Sequence, residues 1–194
     1  MSPGIKKWIG GGLGLLVLTL ITVFWLVPGY LPDPSVTHRN APDPERFASL
    51  GGDFELDSHT GPVSLSDFSG DVVLLFFGYT HCPDYCLASM ATMRQVLLEL
   101  PAHQQGRVKG LFVSVDPDRD DVATLHDYTQ FFHPDITGVT GTKEEIDAVV
   151  SQYATSYHFV ESDSVLDYLV EHSTRTYVIN PQGQLVELVP YEAP

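Results

Sequence analysis

The sequence predicts an α/β fold, a central mixed sheet flanked by helices, placed behind an N-terminal apolar segment. Three observations carry this expectation. A stretch near the N-terminus is free of charge, several short continuous apolar runs suit strands buried on both faces, and the stretches between them place apolar residues at helical spacing. The 194 residues are enough for one domain with its own core, and no internal repeat divides them.

Residues 1–7 hold Lys6 and Lys7, and residues 8–27 read as a transmembrane helix. No charge falls from Ile9 to Val27, a span of roughly 28 Å at about 1.5 Å per residue. The next basic residue is Arg39, so the positive-inside rule puts the N-terminus in the cytoplasm and everything after Pro28 outside. A cleaved signal peptide is the alternative, but the run exceeds an ordinary h-region and Val27-Pro28-Gly29-Tyr30 lacks a small-residue cleavage site. Residues 28–49, with Pro28, Pro32, Pro34, Pro42 and Pro44, read as a stiff tether, and residues 50–194 as the folded domain. The expected location is the inner membrane, single-pass, with the domain in the periplasm.

Within the domain, Phe54 to Leu56 and Val63 to Leu65 read as a hairpin across Ser58-His59-Thr60-Gly61, followed by a turn closed at Gly70. Val72 to Tyr79 is a buried strand. Met90, Met93, Val96, Leu97 and Leu100 give a helix over Ala88 to Leu100, ended by Pro101. Val108 to Val115 is a second buried strand, and Asp121 to Phe132 a helix ended by His133-Pro134. Thr142-Lys143-Glu144-Glu145 has the form of a capping box ahead of Ile146, Val149 and Val150. Strands at Tyr157 to Val160, Leu166 to Val170, Thr174 to Ile179 and Leu185 to Val189 complete the sheet, the last two joined across Asn180-Pro181-Gln182-Gly183.

Ten Lys and Arg against 25 Asp and Glu give a formal charge of −15, which excludes a nucleic-acid partner and favours cations or basic protein surfaces. The two cysteines stand four apart in Gly78-Tyr79-Thr80-His81-Cys82-Pro83-Asp84-Tyr85-Cys86, where a buried strand gives way to a helix. A helix N-terminus lowers thiol pKa, and thiolate is the form that both metals and disulfide exchange require.

Three readings follow for the pair. A static disulfide would close a loop too short to restrict the unfolded chain much. A redox dithiol fits the position, although C-x-x-C is its usual spacing. A soft metal ion held by both thiolates needs a third ligand from elsewhere, and copper suits such a site, as Cu(I) or, with imidazole added, Cu(II). Zinc would want four ligands, for example Cys82, Cys86, His172 and Asp116.

Of the eight histidines, His38 lies in the tether and His59, His103 and His133 in expected turns. His81 leaves the strand pointing away from Cys82, His126 is expected on a helix that the sheet separates from the cysteines, and His158 sits in a late strand. His172, in Glu171-His172-Ser173-Thr174, precedes a strand where a thioredoxin-like sheet brings a loop against its cysteine helix. Met90 and Met93 read as core rather than as copper ligands. Asp116-Pro117-Asp118-Arg119-Asp120 reads as a turn and helix cap, with a role around the ligands or toward a partner as its alternative.

Three ordered segments, GYTHCPDYC from Gly78, SVDPDRD from Ser114 and LVEHSTRTYVI from Leu169, resemble the Sco/SenC copper chaperones of cytochrome c oxidase assembly. The resemblance spans residues 50 to 190 and includes the anchor and proline-containing tether. It implies a thioredoxin-like fold and copper bound by Cys82, Cys86 and His172. It also implies delivery of copper to the copper A centre on oxidase subunit II, or reduction of that acceptor's cysteines, with other periplasmic copper carriers or thiol reductants as further partners. Leu87 stands where the family usually has proline, which is expected to loosen the helix start, and Glu171 where aspartate is usual. A scaffold using only the acidic surface is the non-chemical alternative.

Overall fold

The computed structural model describes residues 47–162 and 168–191. The chain divides into two compact units, Met1–Ala41 and Pro42–Pro194, and every described residue belongs to the second. The expected cytoplasmic residues, the transmembrane helix 8–27 and the tether as far as residue 46 lie outside the described residues. Among those described, no helix is long and apolar enough to cross a membrane. The last tether residues are already part of the fold: Phe47 is buried, and its carbonyl accepts from the Leu50 amide at 2.8 Å.

Strands β1 (Glu55–Ser58) and β2 (Gly61–Ser64) form the expected hairpin, followed by a 3-10 turn at Leu65–Phe68. Then come β3 (Val72–Gly78), α1 (Tyr85–Glu99), β4 (Val108–Ser114), α2 (Val122–Phe132), β5 (Ile136–Thr140) and α3 (Lys143–Gln152). The described chain closes with β6 (Tyr157–Glu161), β7 (Tyr168–His172), β8 (Thr176–Ile179) and β9 (Leu185–Val189). A seven-stranded mixed sheet runs β2-β1-β5-β4-β3-β8-β9, while among the described residues β6 and β7 pair only with each other.

The centre is parallel: β3 pairs with β4 from Val72 opposite Val108 to Gly78 opposite Ser114, and β4 pairs with β5. Both faces of β3 and β4 are covered, with Leu75, Phe76, Leu111 and Phe112 fully buried, which explains why these runs are continuous rather than alternating. Each such side chain contributes about 1.5–3 kcal/mol on burial. Because β3 and β4 finish level, the loops that follow Gly78 and Ser114 emerge side by side, where open α/β sheets place their sites.

Strand β5 has no counterpart among the expected elements. Its five residues Ile-Thr-Gly-Val-Thr are short and follow the His133-Pro134 stop so closely that they read as connection. Their insertion changes the account of His126. Strand order runs the same way from β3 to β4 to β5, so two crossovers of one hand must lay α1 and α2 on the same face. Two residues of β4 confirm it: a Cβ on Gly110 would come within 2.7 Å of Met93 Sδ in α1, and Phe112 packs against Tyr128 of α2 at 5.4 Å between ring centres. The sheet therefore does not separate His126 from the cysteine helix. His126 instead stacks on His59 at 4.4 Å.

The opposite face is covered by α3, whose Ile146, Val149 and Val150 are buried, and by Tyr153, which packs on Phe77 and Tyr177. The expected capping box is present: Thr142 Oγ1 accepts from the Glu145 amide at 3.3 Å, and Glu145 accepts from the Thr142 amide at 2.7 Å. Asp121 caps α2 by accepting from the Thr124 amide, and that bond lowers its pKa.

Candidate metal centre

Helix α1 begins three residues earlier than its apolar spacing indicates, so Cys86 lies in its first turn and the Cys82 loop leads into it. With Leu87 in place of proline, the helix runs unbroken from Tyr85. Asp84 is the cap residue but its side chain makes no capping bond. Cys82 Sγ takes that place, accepting from the Cys86 amide at 3.5 Å.

Both cysteines are free thiols and both are buried, Cys86 completely. Cys86 is pressed against β3, since a Cβ on Gly78 would stand 2.9 Å from its sulfur and 3.0 Å from the Phe76 and Phe112 rings. The two sulfurs titrate as one system. Cys82 ionises first, its pKa lowered to about 3 chiefly by the bond from the Cys86 thiol, then by His172 and by the Asp84 and Cys86 amides, against the opposing effect of burial. The Cys86 thiol is pushed up by that same bond and by its burial.

His172 reaches this pair from the C-terminal end of β7, not from a loop before β8. Its Nε2 lies 3.1 Å from Cys86 Sγ. Its Nδ1 lies 2.9 Å from the Ser173 carbonyl, which can only accept, so Nδ1 carries a proton and Nε2 is the ring atom turned toward the sulfurs. Phe76 and Tyr79 meet the ring at right angles, at 5.9 and 5.8 Å. One donor atom from each of Cys82, Cys86 and His172 lies within 4.8 Å of the others. Two sulfurs and one imidazole nitrogen are donors that suit copper; Cys82 and His172 line a cleft of about 440 Å³ flanked by Tyr85, Leu169 and Glu171, with Cys86 buried behind them.

The remaining candidates are spent elsewhere. Asp116 is buried and accepts from Arg119 Nε and, at 2.7 Å, from the Tyr168 hydroxyl, so it is no fourth ligand for zinc. Asp120, also buried, accepts from the Thr80 amide at 2.8 Å and the Ser114 hydroxyl at 2.6 Å. The turn-and-cap account of this motif is thus incomplete: its two inner carboxylates are buried anchors. His81 is half-exposed and bonds Thr80 Oγ1, and His158 pairs with Glu171 across the hairpin at 2.9 Å. Met90 and Met93 are core, as expected. Tyr79 and Tyr168 escaped the sequence reading, because nothing in spacing tells a packing aromatic from one that supports a ligand, as did Ser173, whose part is played by its backbone carbonyl; Arg119 was named only within the Asp116 to Asp120 stretch.

Residues 42–194 match the SCO1/SenC family model. The chain belongs to the SCO1/SenC family. Among its relatives, Protein SCO2 homolog, mitochondrial, of Mus musculus is 41% identical over 141 residues, covering 71% of this chain and 55% of the relative. Protein SCO1 homolog, mitochondrial, of Homo sapiens is 37% identical over 140 residues, covering 71% and 46%. The chain spans about half the length of these curated relatives. Two solved Sco structures share the thioredoxin-like fold. Arabidopsis thaliana ScoI with copper bound superposes at TM-score 0.69 and 34% identity, over 74% of this chain and 89% of that one. Apo Sco1 from Thermus thermophilus superposes at 0.67 and 36%, over 74% and 83%.

Proposed function

We propose that this Sco-family chain is a membrane-anchored copper carrier that holds one copper ion, as Cu(I) or Cu(II), through Cys82, Cys86 and His172. It delivers the ion to the copper A centre of cytochrome c oxidase subunit II during oxidase assembly. The anchor is the helix 8–27, and the folded unit faces the periplasm. The observation that carries this reading is the convergence of two cysteine sulfurs with the Nε2 of His172, whose other ring nitrogen is held by the Ser173 carbonyl. Similarity to a plant Sco protein with copper bound supports the identity of the ion.

The site is suited to carriage rather than storage. The lowered pKa of Cys82 eases loss of the proton that copper must displace there, and the cleft lets an acceptor's ligands approach as those of the donor let go. No covalent turnover is required. The test is a strain lacking the chain: oxidase activity is restored by the parent gene or by added copper, and not by the His172→Ala gene without added copper. Restoration by His172→Ala at ordinary copper would contradict the reading.

A second reading, reduction of the acceptor's cysteines, is favoured by the low pKa of Cys82 beside the free Cys86 thiol. The Cys82 thiolate attacks the acceptor disulfide, forming a mixed disulfide and releasing one acceptor thiolate. Cys86 then displaces the second thiolate, closing Cys82–Cys86 and leaving the acceptor reduced by two electrons. Metal-free reduction of an acceptor peptide no faster than by a simple thiol dismisses it.

A further inference from the structure

The histidine strand is not part of the sheet that carries the cysteines. Strand β7 pairs with β6 alone, and among the described residues no backbone ladder joins this hairpin to the seven-stranded sheet. The chain ties His172 to β8 through Ser173, Thr174 and Arg175, and beyond that link its 3.1 Å approach to Cys86 rests on contacts made by side chains.

The strongest of these contacts comes from one loop, between β4 and α2. Arg119 lays its guanidinium over the Tyr168 ring at 3.6 Å and donates from Nη1 to the Tyr168 carbonyl at 3.0 Å, at the start of β7. Asp116 braces both partners, taking Nε of Arg119 on one oxygen and the Tyr168 hydroxyl on the other. The loop's other buried carboxylate, Asp120, holds Thr80, two residues before Cys82. One short loop thus grips the cysteine loop at one end and the histidine strand at the other. Tyr79 adds a lighter tie, its hydroxyl accepting from the Val170 amide at 3.2 Å.

We infer that Arg119 is a positioning residue for copper, clamping β7 through Tyr168 so that His172 stays in reach of the two sulfurs. This deepens the copper-site reading and rests on it. The chemistry sets the signature. Two thiolates alone satisfy Cu(I), whereas Cu(II) depends on the imidazole. Loosening the clamp should then weaken Cu(II) selectively. Lysine cannot replace Arg119 here, because it offers neither a planar face for Tyr168 nor a fork that reaches both Asp116 and the Tyr168 carbonyl.

The test uses the full, reduced chain and four variants: Arg119→Lys, which keeps a cation beside Asp116; Tyr168→Leu, which removes the platform and leaves the Asp116–Arg119 pair; His172→Ala; and Arg119→Lys with His172→Ala. Cu(I) affinity is read by competition with a chromophoric chelator and Cu(II) binding by thiolate-to-copper absorption and by nitrogen hyperfine coupling in electron paramagnetic resonance. A metal-free readout is the nitrogen-15 resonance of His172 Nδ1. The clamp predicts Cu(I) affinity within threefold of the parent in Arg119→Lys and Tyr168→Leu, Cu(II) affinity at least tenfold weaker, and an exchange-broadened His172 resonance. It also predicts that Arg119→Lys adds nothing once His172 is alanine, which a general loss of stability would not reproduce. Folded variants with the parent's Cu(II) spectrum and affinity, or an Arg119→Lys effect of equal size with and without His172, overturn the clamp alone. A parent chain that takes up no copper overturns the copper-site reading and the clamp with it.

Discussion

Cys86 Sγ and His172 Nε2 stand 3.1 Å apart although 86 positions separate them in the chain. The parallel pair β3 and β4 delivers the cysteine helix to the end of the sheet, and an independent hairpin returns the histidine to the same point.

Thiol ionisation should be split between the two cysteines. With the Cys82 pKa lowered to about 3, its thiolate absorbance should persist as the pH falls from 8 to 5 and vanish only in strong acid, whereas an ordinary thiol of pKa about 8.5 loses nearly all of its thiolate by about pH 7. Cys86, pushed the other way, should keep its proton at neutral pH. Copper binding at pH 7 should then release about one proton per ion rather than two. Potentiometric titration of the metal-free, reduced chain checks the first statement and proton release in unbuffered solution the second; loss of the thiolate signal near pH 8.5 contradicts both.

Gly78 leaves room for the Cys86 sulfur. Gly78→Ala puts a carbon within about 3 Å of that sulfur and two aromatic rings in a close-packed layer, and should cost about 1–3 kcal/mol in urea unfolding while weakening copper uptake. Unchanged stability and uptake would show that the layer yields freely.

Asp120→Asn should destabilise by about 1–3 kcal/mol, because an amide nitrogen would face one of the donors that the buried carboxylate now satisfies. Thr142→Ala, remote from the cysteines, should cost about 1 kcal/mol through its lost cap and leave copper binding unaltered. Urea unfolding followed by copper titration of both variants checks the pair, and a copper defect in Thr142→Ala would contradict the separation of cap from site.

Much of this was legible in the chain. Continuous apolar runs identified β3 and β4, the capping box fixed α3, and the cysteines fell where an α/β sheet places its chemistry. Strand β5 was not legible, being five residues with weak alternation close behind a helix stop, and its omission hid the direction of strand order that puts α1 and α2 together. His172 was identifiable from its motif, but its position at the end of a separate hairpin was not. For Asp116 and Asp120 the sequence offered both a turn and cap and a role around the ligands without deciding between them, since carboxylates in a Pro-containing loop carry the same local signal whether they face water or a buried guanidinium.

The central claim is that Cys82, Cys86 and His172 act as one ligand set. Copper titration of the reduced chain, with metal-edge X-ray absorption counting sulfur and nitrogen neighbours, tests it most directly. The account predicts one copper per chain with two sulfurs and one nitrogen, the nitrogen vanishing in His172→Ala and stoichiometric uptake vanishing in Cys82→Ser with Cys86→Ser. An unchanged nitrogen neighbour in His172→Ala, or full uptake without the cysteines, would contradict it.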